Sequence, residues 1–368
     1  MQEHETVSST QMATLFLCYL AGSSILFIQQ PLIQLAKDMA TLAVITANGI
    51  GFLLLGCVLY LHKQYPGLTY VEYSKQAVGR WLSMVFAILL IVELMLTASD
   101  IIRNDGAFVA NTIMSATPVY VLNSLLLATA AITAYCGIEV MARMFVLLMI
   151  TNFLFIVAAY VLNIPNYQVE MLFPLFTEGI KPFFYGTYVA TGIPYAGLVV
   201  FGMLLPYVKQ EDKPSLGKWM YGALVTHGIT LLLGVICTIA VLGPLAAEKK
   251  YSLYVLSGMI EIADFVERLQ TTMVFTQVVG SYMKTTIVLF ILNVTLCKIL
   301  QKQNERILIF PLTLVVLLLS LTAPNEQEAS HLFTDVAPFV YTTLGVVPLL
   351  IIVLVTFIKQ RIKRGRNR

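Results

Sequence analysis

Apolar residues run along this chain in stretches of about 20, the length a helix needs to cross about 30 Å of hydrocarbon, with short polar segments between them. The pattern predicts ten membrane-spanning helices, over 11–35, 39–61, 81–108, 118–135, 138–162, 183–208, 218–243, 271–297, 307–322 and 336–358. Two of these spans have interrupted middles. The sixth, FFYGTYVATGIPYAGLVVFGMLLPYV from Phe183 to Val208, carries Thr191, Gly192 and Pro194 near its centre. Pro194 has no N–H for the carbonyl of Ala190 and its ring crowds that carbonyl, while Gly192 resists non-helical dihedrals little. Backbone groups freed at mid-membrane depth cost several kcal/mol each unless protein, water or a ligand meets them, so a break here is expected to line a cavity. A proline kink in an ordinary packed helix is the alternative. The first span has Ala21, Gly22, Ser23 and Ser24 where its middle should be, which predicts a second break. Small residues would equally let a neighbouring helix approach closely.

The two interruptions occupy corresponding places in two five-span halves, about 11–162 and 183–358. Because each half has an odd number of spans, the second enters the bilayer from the opposite face. That is the signature of an inverted repeat whose discontinuous helices meet at a central binding site. The expected fold class is an all-α polytopic membrane protein, a single membrane domain with a five-plus-five inverted repeat and broken helices 1 and 6. Between spans 2 and 3, HKQYPGLTYVEYSKQAVGR is too charged to span and predicts a short interfacial helix. The longest loop, after span 7, has an amphipathic middle around Tyr254–Ile262 suited to the external membrane surface.

Composition agrees with a life in lipid. The chain is 58% hydrophobic and 12% charged, about half the charged fraction of a soluble domain, which leaves no room for a large soluble domain. Its opening MQEHETVSST lacks a basic region, so a cleaved signal is not expected. The five cysteines are isolated and read as packing residues, not as a disulfide framework. With ten spans both termini fall on one side, and that side receives sixteen of the 23 Lys and Arg. The other side receives Lys37, Arg103, Lys181, Lys249, Lys250 and Arg268, and Lys284 lies inside a span. The excess predicts cytoplasmic termini, with 359–368 a basic cytoplasmic tail that sets topology or meets anionic head groups. No Walker loop, HExxH or GxSxG is present, and of four scattered histidines only His227 lies in a span. Neither enzyme chemistry nor a metal, cofactor or nucleic-acid partner is expected.

The charged candidates lie in spans 3 and 8. Glu93 comes roughly 18 Å of helix after Trp81, near mid-depth. Thr97, Asp100 and Asn104 follow at i+4, i+7 and i+11, so one face of span 3 is a polar stripe that belongs against the bundle interior or a vestibule. Asp100, Arg103 and Asp105 are expected at a solvated or salt-bridged helix end. Lys284, with Gln277 and Ser281 on its face, is a possible partner of Glu93.

Several segments carry a resemblance: AGSSILFIQQP in span 1, GIEVMAR at 137–143, MLFPLF before span 6, MLLPYVK at its end and FVERLQ before span 8. In that order they resemble the membrane subunit of bacterial spore nutrient-germinant receptors, the B-type or GerB class. The sequence departs from the family pattern where Gly22 is followed by Ser23 and Ser24, at Gly197, Leu198 and Val199 within span 6, and around Tyr251. The resemblance implies a LeuT-like fold, similar to amino acid–polyamine–organocation permeases. It also implies a nutrient, such as an amino acid, bound in the inner spore membrane, and partnership with an A-type membrane subunit and a C-type lipoprotein. The alternative is an amino-acid permease or proton-coupled transporter of the same fold. For an amino-acid ligand, Ala21, Gly22, Ser23 and Ser24 would offer N–H and hydroxyl donors to the carboxylate. Carbonyls at Ala190 and Thr191, beside Gly192, would receive the ammonium together with Glu93. Tyr195 would close the pocket, and Thr97 and Gln277 complete the candidate set.

Overall fold

The chain enters its first helix through a capping box, in which Ser8 Oγ accepts from the Gln11 amide at 3.2 Å and the Gln11 side chain accepts from the Ser8 amide at 2.9 Å. The computed structural model describes residues 5–173, 178–259, 269–302, 306–322 and 332–366. Among them nine helical segments are long and apolar enough to cross a membrane, and the shorter apolar helix Ile309–Leu321 stands where the ninth span is expected. Boundaries follow the hydropathy closely: span 3 is Arg80–Thr112, span 5 Ile138–Leu162, span 7 Lys213–Leu242 and span 8 Leu269–Ile299. The polar segment after span 2 forms the helix Tyr70–Val78, capped by Thr69 and Glu72 and ended by Gly79 at φ 90°, a backbone angle glycine tolerates.

Span 6 is broken where proline and glycine place it. An α-helix over Lys181–Gly192 stops, residues 193–195 turn, and a tighter 3-10 helix runs over Ala196–Met203. Span 1 requires a correction. Ala21, Gly22, Ser23 and Ser24 lie inside the continuous helix Ser9–Phe27; the interruption falls at Ile28, after which Gln29–Ala36 resumes. Pro31 explains the position, because it lacks the N–H that Phe27's carbonyl would receive. The small residues serve close approach instead: a Cβ on Gly22 would stand 2.6 Å from both the Gly280 carbonyl oxygen and Lys284 Cβ.

Span 8 is the most enclosed of the long segments, with 83% of its apolar window buried. It packs against spans 1, 3, 4 and 5, while span 2 packs against spans 6 and 7. Span 10 is irregular, with π-helical turns at Leu332–Val336 and Thr342–Val346; the second precedes Pro348, which cannot supply the α-helical donor to Leu344.

Both termini gather at one end of the bundle. Glu5 pairs with Arg306 and accepts from the Ile138 amide at 2.8 Å. Val7 bridges to the end of span 6, donating to the Tyr207 carbonyl at 2.9 Å, and Lys359 donates to the carbonyls of Gln76 and Ala77 at 3.2 and 2.7 Å. None of the five cysteines is bonded to another. Residues 325–331, the last three positions of the amphipathic stretch Tyr254–Ile262, and parts of the MLFPLF and FVERLQ segments lie outside the described residues.

Candidate functional site

The polar stripe of span 3 faces a cavity. Glu93, Thr97, Asp100 and Asn104 all line it, facing Tyr19 and Phe27 of span 1, Ile193 and Gly197 at the interruption of span 6, Lys284 of span 8 and Tyr341 of span 10. Glu93 is 1% exposed, and among the described residues its Oε2 has no hydrogen-bond partner. Both of its carboxylate oxygens lie 3.0 Å from where a Cβ on Gly345 would stand, as does the Ala196 carbonyl oxygen. A side chain at Gly345, in the π-helical turn of span 10, would crowd the carboxylate. Two turns further along span 3, Asp100 is held by Arg103 at 2.6 Å and by the Tyr341 hydroxyl at 2.6 Å.

A second cavity lies along spans 1, 5 and 8, lined by Ala21, Gly22, Asn152, Gln277 and Gly280 with several apolar neighbours. The candidate set thus divides: Glu93 and Thr97 belong to the first cavity, Ala21, Gly22 and Gln277 to the second. Gln277 is engaged, donating to Ser281 at 2.8 Å and to Asp105 at 3.3 Å. Asp105 corrects another expectation, for it is 2% exposed and also receives Ser281 Oγ at 2.9 Å instead of sitting at a solvated end. Span 3 continues to Thr112, which keeps Asp105 inside the bundle. Lys284 and Glu93 line the same cavity.

Tyr195 points elsewhere. Its hydroxyl meets Asn48 Oδ1 at 3.2 Å and His227 Nδ1 at 3.3 Å, and its ring packs against Gly51. Ser24 reaches the other side of the same imidazole, 3.2 Å from Nε2, so His227 ties spans 1, 2, 6 and 7 through one buried network. Sequence reasoning passed over His227 by weighing histidines only for metal or hydrolase chemistry; its rarity within a membrane span was the available signal. Ala190 and Gly192 are buried in the half-helix before the break, Gly192 with no space for a side chain against Pro338, and Thr191 Oγ1 is buried without a hydrogen-bond partner among the described residues; none of the three lines either cavity.

A family model described as spore germination protein, the spore permease family, matches residues 6–329. Spore germination protein KB of Bacillus subtilis (strain 168) is 25% identical over 372 residues, covering 99% of this chain and 98% of that protein. Spore germination protein YndE of the same organism is 20% identical over 355 residues, covering 95% and 96%. Among solved structures, MhsT in complex with L-phenylalanine aligns with a TM-score of 0.73, 11% identity, and 95% of this chain against 89% of that one. Mhp1, a nucleobase-cation-symport-1 family transporter with bromovinylhydantoin bound, aligns with a TM-score of 0.69, 11% identity, and coverage of 95% and 78%. At that identity the likeness concerns the fold, which is LeuT-like with broken helices 1 and 6. The family match runs through most of the chain, and this integral membrane protein belongs to the spore germination protein family.

Proposed function

We propose that this chain is the nutrient-binding membrane subunit of a spore germinant receptor, and that the nutrient is a small amine of the amino-acid class held beside Glu93. One observation carries the reading: a carboxylate 1% exposed, with an oxygen lacking any partner, opens onto a cavity at the interruption of span 6. An uncompensated buried charge costs several kcal/mol, and a ligand ammonium removes that cost. Of the interruption, Ile193 and Gly197 line this cavity, whereas Ala190 and Thr191 do not. The family match and the L-phenylalanine bound to MhsT support an amino-acid ligand. In this reading the chain sits in the inner spore membrane with cytoplasmic termini, its halves 11–162 and 183–358 form the two repeats, and A-type and C-type subunits receive the signal.

A second reading, an amino-acid permease or proton-coupled transporter, is favoured by the fold shared with the transporter Mhp1. Purified protein in nanodiscs is titrated with the twenty natural L-amino acids, and the same protein in liposomes is assayed for uptake of those that bind. Saturable binding that Glu93→Gln removes, without uptake, is the receptor result. Uptake by this chain alone gives the permease. Absence of binding by any of the twenty, or binding untouched by Glu93→Gln, overturns the proposed site.

A further inference from the structure

Two acids of span 3, Glu93 and Asp100, line the same cavity. Their i, i+7 spacing puts them on one face of the helix, about 10.5 Å apart along its axis. A molecule with an amine at each end of a chain as long as lysine's covers that interval, with a hydrogen bond to each acid. The two acids differ in what already holds them. Glu93 Oε2 has no hydrogen-bond partner among the described residues. Asp100 accepts from Arg103 Nη2 through Oδ1 and from the Tyr341 hydroxyl through Oδ2, each at 2.6 Å. Arg103 lies three residues along the same helix and is not among the residues that line the cavity; its side chain is 18% exposed and that of Asp100 20%. The bond between them is charge-assisted and its donor is tethered, so a ligand ammonium that reaches Asp100 has to displace an intramolecular cation.

We infer that Arg103 sets the specificity of this cavity by neutralising Asp100, so that the site takes ligands with a single ammonium and turns away diamines and diamino acids. This rests on the reading of Glu93 as the ammonium site and narrows the class of ligand within it. Arg103 acts through Asp100, not on the ligand, which makes it a positioning residue. The device works by exclusion. With Asp100 compensated, a second ligand ammonium would be buried without a counter-charge, a cost that a ligand with one ammonium does not meet. Without Arg103, a second acid is uncovered at a lysine's length from the first.

The test compares L-norleucine with L-lysine, which share a four-carbon side chain and differ by its terminal ammonium, on protein in nanodiscs. Wild-type protein is expected to bind norleucine about tenfold or more tightly than lysine. Arg103→Gln should shift that ratio toward lysine by about tenfold or more, and Arg103→Lys, which keeps a cation beside Asp100, should restore the wild-type preference. Asp100→Asn added to Arg103→Gln should cancel the gain for lysine, which loosened packing alone would not do. If wild-type protein shows no preference for norleucine, if folded Arg103→Gln leaves the ratio where it was, or if the double variant keeps the gain, the inference is overturned. If Arg103→Gln does not fold, the wild-type comparison decides. The Glu93 reading falls separately, when Glu93→Gln leaves unchanged the binding of the amino acids that wild-type protein takes.

Discussion

Span 3 holds two buried carboxylates in opposite circumstances. Asp105 meets Ser281 Oγ at 2.9 Å and Gln277 Nε2 at 3.3 Å, two donors a single turn apart on span 8. Glu93, equally buried, faces Gly345 in a π-helical turn, and one of its oxygens finds nothing to accept from. The difference lies in what the facing helix offers at each level. Where hydroxyl and amide donors line up, a buried acid becomes part of the scaffold and helps fix how spans 3 and 8 are rotated. Where the facing position is a glycine, the acid is left to whatever enters the cavity.

Exchanging the two acids for neutral groups should separate these roles. The largest effect on ligand is expected from Glu93→Gln, which should weaken amino-acid binding by about 10- to 100-fold while leaving thermal stability equal or higher, because the isosteric amide removes a buried charge. Asp105→Ala should do the reverse. It strands the donors of Ser281 and Gln277 and should cost about 1–3 kcal/mol of stability, with binding changed less than about threefold. Titration of both variants, paired with thermal unfolding in the same detergent, checks the two outcomes together; a stability loss in Glu93→Gln with binding loss in Asp105→Ala would invert the comparison. Gly22→Ala sharpens it further, since its Cβ would press on the Gly280 carbonyl and the base of Lys284. The expected result is about 1–2 kcal/mol less stability, read by unfolding, before any change in affinity.

The smallest effect belongs to a third acid, Glu72, at the bundle end that carries the termini. Partial burial alone would raise its pKa, but hydrogen bonds from the Thr69 amide and hydroxyl and the Lys298 ammonium outweigh this and hold the carboxyl below its ordinary value. A depressed folded value means the contribution is fully present above the unfolded pKa, about 4.3, and is lost as pH falls through the folded one. Solvent screens the group, so Glu72→Gln should cost less than about 1 kcal/mol at neutral pH and flatten the acid limb of the stability profile. An unchanged acid limb would remove the assigned role.

The spans and the sixth-span break were legible because bilayer length and a proline beside a glycine are local signals. The polar stripe was legible too, since Glu93, Thr97, Asp100 and Asn104 share a helical face whatever surrounds it. The first break was misplaced by reading small residues as breakers; Pro31 and its orphaned acceptor Phe27 carried the position. Asp105 with Ser281 and Gln277, and His227 with Ser24, Tyr195 and Asn48, depend on how helices rotate against one another. Hydropathy leaves that rotation open, so residues from different spans could be sorted as polar without being assigned to one cavity or the other.

Determination of the structure with a bound amino acid tests the central claim most directly. The account predicts the ligand ammonium about 3 Å from Glu93 Oε2, beside Ile193 and Gly197, with Asp105 still held by Ser281 and Gln277. A ligand seated instead in the cavity of Gly22, Asn152 and Gln277, with Glu93 Oε2 still lacking a partner, would contradict it.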